Sequence, residues 1–370
     1  MNGKKRNVEA TVTAVVFAAL LAAFFLAAVF SPAKELSQSE RRKLAQFPAF
    51  TGKTVLSAAF MGKFETFAQD QFPLRESFRG LKSQLLYRVF RLSDKNGLYV
   101  VDKSLAKFTS ASESGLLSGK AKLERVIAQY LGESNVYFAL IPTKHDYFSA
   151  QSPRPGLTYE AAREIYAGLA GARFIDLTRA LSQSDYYKTD LHWDQARLMN
   201  VVKLLGEEMG FTPPAGLVEE TLGSFAGAYY GQAALPLEKD TLTLLTGGAL
   251  DGLIVHSLNE KTLALEPAPL YEREALSGMD AYDVFLGGAV PLVVIENPAG
   301  PLGRELVLFR DSFSSSLAPL LAAGYSKVTL IDLRYMASAL LEDYVDFAGA
   351  DALFLYSAEI LNNSGVLLVN

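Results

Sequence analysis

The chain has 370 residues, a formal net charge of −5, three histidines and no cysteine. The lack of cysteine excludes disulfides, thiol chemistry and a lipid-bearing cysteine, and with only His145, His192 and His256 a multi-histidine metal site is not expected, nor is a diffusible cofactor. No long basic run is present, which argues against nucleic acid as a partner, since phosphate binding needs clustered Lys and Arg.

Lys4, Lys5 and Arg6 precede an uncharged stretch from Ala10 to Ala33. At about 1.5 Å per residue it spans a hydrocarbon core of roughly 30 Å. The basic flank stays cytoplasmic by the positive-inside tendency. The expectation is a single-pass anchor in the cell membrane over 1–33, N-terminus in, with the bulk extracytoplasmic. A cleaved signal peptide is the rival, with Ser31-Pro32-Ala33 as its cleavage site. The apolar run is longer than the roughly 7–15 residues usual there.

Residues 34–112 are polar and helix-prone, and read as a juxtamembrane helical stalk. Phe64, Phe67 and Phe72 precede Leu81, Leu85, Leu86 and Val89 on a helical stripe. NGLYVV after Lys95 reads as a turn and a short strand.

Residues 113–370 alternate helix and strand. LLSGKAKLERVIAQYLG is a helix, NVYFALIP a strand, YEAAREIYAGLAG a helix and ARFIDL a strand. QARLMNVVKLLGEEMG is a helix closed by Gly210. Later come strand ELVLFRD, helix SSLAPLLAAG, strand KVTLIDL, helix MASALLEDYV and strand ADALFLYS. This rhythm predicts an α/β fold with a mostly parallel sheet flanked by helices. Residues 211–301 break it with short runs such as DTLTLL and DGLIVHSL, and read as an inserted β-rich segment.

Two places can carry chemistry. YYKTDLHWD holds Asp190, His192, Trp193 and Asp194. An Asp two residues before a His can fix its tautomer and leave the other ring nitrogen as a base. The structural alternative is a helix N-terminus capped by Asp190 or Asp194, with Trp193 in the core. In LVLFRDSFSSS, an apolar strand enters a Ser-rich turn and then a helix. That sets Ser312 at the C-terminal edge of a parallel sheet, where the helix offers backbone N–H groups to an oxyanion. The alternative is again capping, by Ser312, Ser314 or Ser315. Together the two segments supply a hydroxyl nucleophile, its base and the group orienting that base. His145 in PTKHDYF is a reserve base or substrate contact, or a surface polar residue. Arg334 and Tyr335 follow a strand and could face the edge of Ser312. His256 reads as strand decoration. Tyr229-Tyr230 reads as β packing or a sugar-stacking surface.

Several segments, in order from about Glu40 to Tyr356, resemble the DHHW protein family: ERRKLAQFPAF, DQFPLR, NGLY, IPTKHDYF, YYKTDLHWD, FAGAYYG, YDVFLGG, LFRDSFSSSLAPLL, LIDLRYM and LFLYS. Leu191 replaces the first His of the family's Asp-His-His-Trp. That family is in turn similar to the SGNH-hydrolase-like domain of the alginate acetylation proteins. The resemblance implies that Asp190, His192 and Ser312 hold the triad roles. Apart from the resemblance, substrate contacts are expected at Arg334, Tyr335, His145 and Trp193. Asp311 stands where the related motif has Thr, and Arg310 where it has Gly. The implied activity is acetyl transfer to, or removal from, an extracytoplasmic carbohydrate polymer, alongside a membrane-bound O-acyltransferase. A second expectation, of another class, is a non-catalytic glycan-binding or scaffold protein that partners such an acyltransferase.

Overall fold

The computed structural model describes residues 2–52 and 59–369, and the side chains of Lys4, Lys5 and Arg6 lie outside that description. The chain divides into two compact units: Met1–Arg91 with Ala234–Pro236, and Leu92–Ala233 with Leu237–Asn370. The stretch 92–112, expected in the stalk, thus falls in the second unit.

In the first unit, helix α1 runs Asn2–Phe30, and its segment Val8–Phe30 is apolar and long enough to cross a membrane. The two-residue strands β1 (Leu36–Ser37) and β2 (Arg42–Lys43) pair antiparallel. Helices α2 (Ala59–Asp70) and α3 (Arg75–Gln84) follow. Asp70 is buried and accepts hydrogen bonds from Arg42 Nη1 at 2.8 Å and the Ala45 N–H at 2.8 Å. The Arg42 guanidinium holds its carboxyl down to about 2.

The second unit opens with the hairpin β3 (Leu98–Val101) and β4 (Ser104–Lys107). Helix α4 (Glu113–Tyr130) starts where Ser112 Oγ accepts the Gly115 N–H at 3.1 Å. Next come β5 (Val136–Ile141), the short α5 (Lys144–Tyr147), α6 (Tyr159–Tyr166) and β6 (Arg173–Asp176). Helix α7 (Met199–Met209) ends at Gly210, whose φ of 76° is the left-handed conformation that glycine adopts without a Cβ clash. The hairpin β7 (Val218–Phe225) and β8 (Asp240–Thr246) flanks the short α8 (Ala228–Ala233). Then follow β9 (Ile254–Asn259), β10 (Ala264–Ala268), β11 (Leu292–Glu296), β12 (Glu305–Arg310), α9 (Ser314–Ala322), β13 (Lys327–Ile331), β14 (Asp351–Ser357) and α10 (Ala358–Asn362).

Among the described residues the main sheet has eight strands in the order β10-β9-β11-β13-β12-β14-β5-β6. From β13 through β6 the pairing is parallel; β11, β9 and β10 extend it antiparallel. Three strands of the β-rich stretch 211–301, β9, β10 and β11, thus join this sheet. The apolar run LVVI of β11 is buried throughout, so both of its faces need covering. Alternate residues of each strand feed different cores. Leu306, Leu308, Leu353 and Leu355 face one cluster; Val307, Phe309, Phe354 and Tyr356 face the other. The helix expected at MASALLEDYV is only a 3-10 turn, Ser338–Asp343. The backbone there is taken up by the C-terminal segment, with the Ser338 N–H donating to the Leu368 carbonyl at 2.9 Å.

Candidate active site

β12 ends at Arg310, and Asp311, Ser312 and Phe313 turn the chain into α9. From Leu306 to Ala322 every residue is buried except Ser312, which is half-buried. Asp311 fixes the turn. Its Oδ1 accepts the Phe313 N–H at 3.1 Å, and its Oδ2 accepts the N–H of Ser357, at the end of β14, at 2.7 Å. The Ser314 and Ser315 N–H groups donate to the carbonyls of Asp311 and Ser312 at 3.2 and 3.1 Å. These bonds correct one expectation: the first amides of the helix are engaged within the turn. The Ser312 N–H is the amide there that they do not use. Arg310 is fully buried beneath the turn, and donates to Ser315 Oγ at 2.8 Å and the Val290 carbonyl at 3.2 Å.

The YYKTDLHWD segment is a closed loop. Tyr186 and Trp193 bridge antiparallel, and the Tyr187 N–H donates to the His192 carbonyl at 3.1 Å. Buried Asp240, at the start of β8, accepts the N–H groups of Lys188 and Thr189, both at 2.7 Å, and the Thr189 hydroxyl. Lys144 Nζ donates to the carbonyls of Tyr187, Lys188 and Asp190 at 2.7, 2.8 and 3.1 Å. Burial pulls the Lys144 ammonium down to about 7, opposed by Asp240 and Asp190.

Held in this way, Asp190 Oδ2 accepts the Ala228 N–H at 2.6 Å. Its Oδ1 accepts the His192 N–H at 3.0 Å and meets His192 Nδ1 at 2.7 Å. His192 Nε2 lies 2.8 Å from Ser312 Oγ. An ionised carboxylate only accepts, so Nδ1 carries a proton. In a neutral imidazole, Nε2 is then the acceptor for the Ser312 hydroxyl. The ring is stacked on Tyr282 at 3.7 Å and met edge-on by Phe313 at 4.9 Å. Gly227 packs against this loop so closely that a Cβ there would lie 2.4 Å from the Asp190 nitrogen and the Thr189 oxygen.

Ser312, His192 and Asp190 thus come together in one hydrogen-bonded chain. The capping alternative describes Asp194 instead, which accepts the Ala196 N–H at 3.2 Å. Two expected substrate contacts are corrected. Trp193 is fully buried, with its indole N–H donating to the Phe313 carbonyl at 2.9 Å and Ser316 Oγ at 3.0 Å, so it has no surface for a substrate. His145 is buried too, its Nδ1 3.0 Å from the Tyr99 hydroxyl and its ring against Gly156. Arg334 and Tyr335 follow β13 as Ser312 follows β12, so they stand at the same sheet edge. Arg334 donates to Asp332 at 2.9 and 2.6 Å, lies over the Tyr335 ring and is within electrostatic reach of Asp311. Tyr335 is 48% exposed. His256 sits on β9 opposite Pro267 and Val294. Tyr229 is buried beside the Lys144 ammonium. Among the described residues, no three His, Asp or Glu side chains gather as a metal site.

Lys144, Asp240, Gly227 and Tyr282 escaped the sequence reading. The one signal for Lys144 was its place beside His145, in a segment singled out for the wrong residue.

No protein-family model matches the chain, and neither does any curated protein sequence. Solved structures share its fold. A DHHW family protein from Eubacterium siraeum aligns with a TM-score of 0.59 at 18% identity, over 74% of this chain and 95% of that one. Bacillus cereus PatB1, solved with a sulfonyl adduct, aligns with a TM-score of 0.54 at 19% identity, over 71% of this chain and 95% of that one.

Proposed function

We propose that this chain is a membrane-anchored, extracytoplasmic serine O-acyltransferase or esterase acting on a carbohydrate polymer. The observation that carries the reading is the continuous chain from Ser312 Oγ through His192 to Asp190, at 2.8 and 2.7 Å. That separation lies in the range for a nucleophile and its base. Ser312 Oγ attacks the acyl carbonyl carbon while its proton passes to His192 Nε2. The Ser312 N–H donates to the oxygen that gains charge. Collapse expels the donor's alkoxide, which takes the proton from His192, and leaves an acyl group on Ser312. A sugar hydroxyl or water then attacks that ester, losing its proton to His192, and collapse expels Ser312 Oγ, which takes that proton back from His192. Asp190 orients the imidazole and stabilises its cationic form.

The fold shared with PatB1 supports this reading, because a sulfonyl adduct on that protein is consistent with an activated nucleophile on such a scaffold. Carbohydrate as the acyl acceptor, and a membrane-bound acyltransferase as a donor, follow from the sequence resemblance. The exposed Tyr335 ring beside Arg334 suits a sugar face and its hydroxyls. The apolar helix Val8–Phe30 is long enough for a membrane anchor, and Lys4, Lys5 and Arg6 before it suit an N-terminus inside.

A glycan-binding or scaffold role without catalysis is the second reading. Behind it stands the engagement of the α9 amides within the turn, which leaves few donors for an oxyanion. Acetyl release or transfer from a model ester and an acetylated glycan separates the two. Ser312→Ala and His192→Ala are expected to lower turnover by about three orders of magnitude or more, and the double variant no further. Turnover that persists in Ser312→Ala would refute the nucleophile. A wild-type chain inactive on a broad ester panel with an acyl donor present would favour the scaffold.

A further inference from the structure

In α1 every residue from Val8 to Phe30 is exposed except Phe24. Phe24 is covered by two rings from later in the chain: Phe72, stacked at 5.5 Å, and Phe78, tilted at 5.9 Å. Phe24 lies about 9 Å along the helix axis from its Phe30 end. A hydrocarbon core of about 30 Å leaves that position within lipid, and rings stacked on it share its depth.

Phe72 lies between α2 and α3 and Phe78 on α3, and both helices are largely bare. In α2 the only buried residue is Asp70. A helix this short has little stability in water without a surface to pack on. On α3 and the turn after it, Phe78, Leu81, Leu85 and Val89 form one stripe at helical spacing, exposed by 43, 52, 42 and 63%. Phe47 and Phe50 add an exposed aromatic cluster, meeting Phe60 edge-on at 6.3 and 5.1 Å. Exposed apolar area on this scale marks a surface that something covers. Lys63, Lys82 and Arg88 are exposed along the same elements and suit phosphate headgroups.

We propose that α2, α3 and the turn after them lie in the outer leaflet beside α1, as an interfacial platform whose occupant is lipid. The inference rests on α1 being a retained anchor, and continuity with that helix through Phe24 is what favours lipid over a protein partner.

The test uses the full chain, one copy per nanodisc of phosphatidylglycerol and phosphatidylethanolamine with doxyl-labelled phosphatidylcholine. Trp193 is the sole native tryptophan and is buried, so its signal is a constant background. Phe17→Trp reports the anchor; Phe64→Trp and Leu81→Trp report the platform. All three are expected to be quenched well beyond wild type, Phe17→Trp most by deep labels and the other two by shallower ones. Quenching of Phe17→Trp alone would overturn the platform and leave the anchor standing, with the face then awaiting a protein or a second copy. Absence of quenching at Phe17→Trp would overturn the anchor and the platform with it. Because the chain has no cysteine, Leu81→Cys gives an independent reading. It is expected to resist an impermeant maleimide until detergent is added, and prompt labelling in intact discs would contradict the platform.

Discussion

The His192 imidazole lies flat on the Tyr282 ring, with centroids 3.7 Å apart and planes 4° apart. The Tyr282 hydroxyl in turn bonds Ser316 Oγ at 2.7 Å, in the first turn of the helix that follows Ser312. One residue therefore registers base and nucleophile to each other. Tyr282→Leu is expected to lower kcat about tenfold with KM nearly unchanged, because the imidazole loses one wall. Tyr282→Phe keeps the wall and loses the hydroxyl bond, so it is expected to lose about 1 kcal/mol of stability and little kcat. Steady-state kinetics and urea unfolding of both variants check this. Equal kinetic loss in the two would contradict it.

Lys144 holds the same loop through its backbone carbonyls. Its ammonium has three donors for three carbonyls, and a neutral amine has only two. With its pKa lowered to about 7 by burial, the clamp loosens as pH rises through that value. The ratio of wild-type to Lys144→Met kcat is expected to fall across this range. Stability moves the other way. The folded pKa lies below the ordinary 10.5, so between about 7 and 10.5 the unfolded chain binds more protons. The contribution of this group to unfolding free energy therefore rises with pH over that window. Kinetic profiles and urea unfolding at several pH values, for both proteins, test the opposed signs.

Gly227 is the third support. A Cβ at this position would meet the Asp190 nitrogen and the Thr189 oxygen at 2.4 Å, and backbone cannot swing away as a flexible side chain can. Gly227→Ala is expected to destabilise the chain by about 1–3 kcal/mol and to shift Asp190 away from His192, lowering turnover. Gly132, with nothing within 4 Å of its Cβ position, is the control. Thermal unfolding and ester turnover of both alanine variants check the contrast.

What could be read in the sequence was what is local. The strand and helix rhythm from Glu113 onward follows from apolar periodicity, which each segment carries within itself. Asp190 and His192 are two residues apart, so their pairing needs only the loop that holds both. The alternation of Leu306, Val307, Leu308 and Phe309 between two cores is likewise written in one strand. Contacts set by tertiary placement were not legible. Tyr282 reaches His192 from a 3-10 turn, Ala281–Val284, with no catalytic signature, and Lys144 reaches Asp190 from across 46 residues. The antiparallel joining of β9, β10 and β11 depends on which neighbour is available, which an isolated run cannot state. Trp193 misled for a related reason. An aromatic beside a candidate base reads as a binding surface, but here its N–H finds its acceptors inside the core.

The proposed chemistry requires an activated hydroxyl at Ser312, and covalent labelling tests that without knowledge of the acceptor. The full chain would be treated with an aryl sulfonyl fluoride near neutral pH and analysed by intact mass and peptide mapping. The expected result is one adduct, on Ser312, absent from Ser312→Ala, and formed at least tenfold more slowly in His192→Ala. An unlabelled wild-type chain, or labelling of Ser312 at the same rate without His192, would contradict the proposed chemistry.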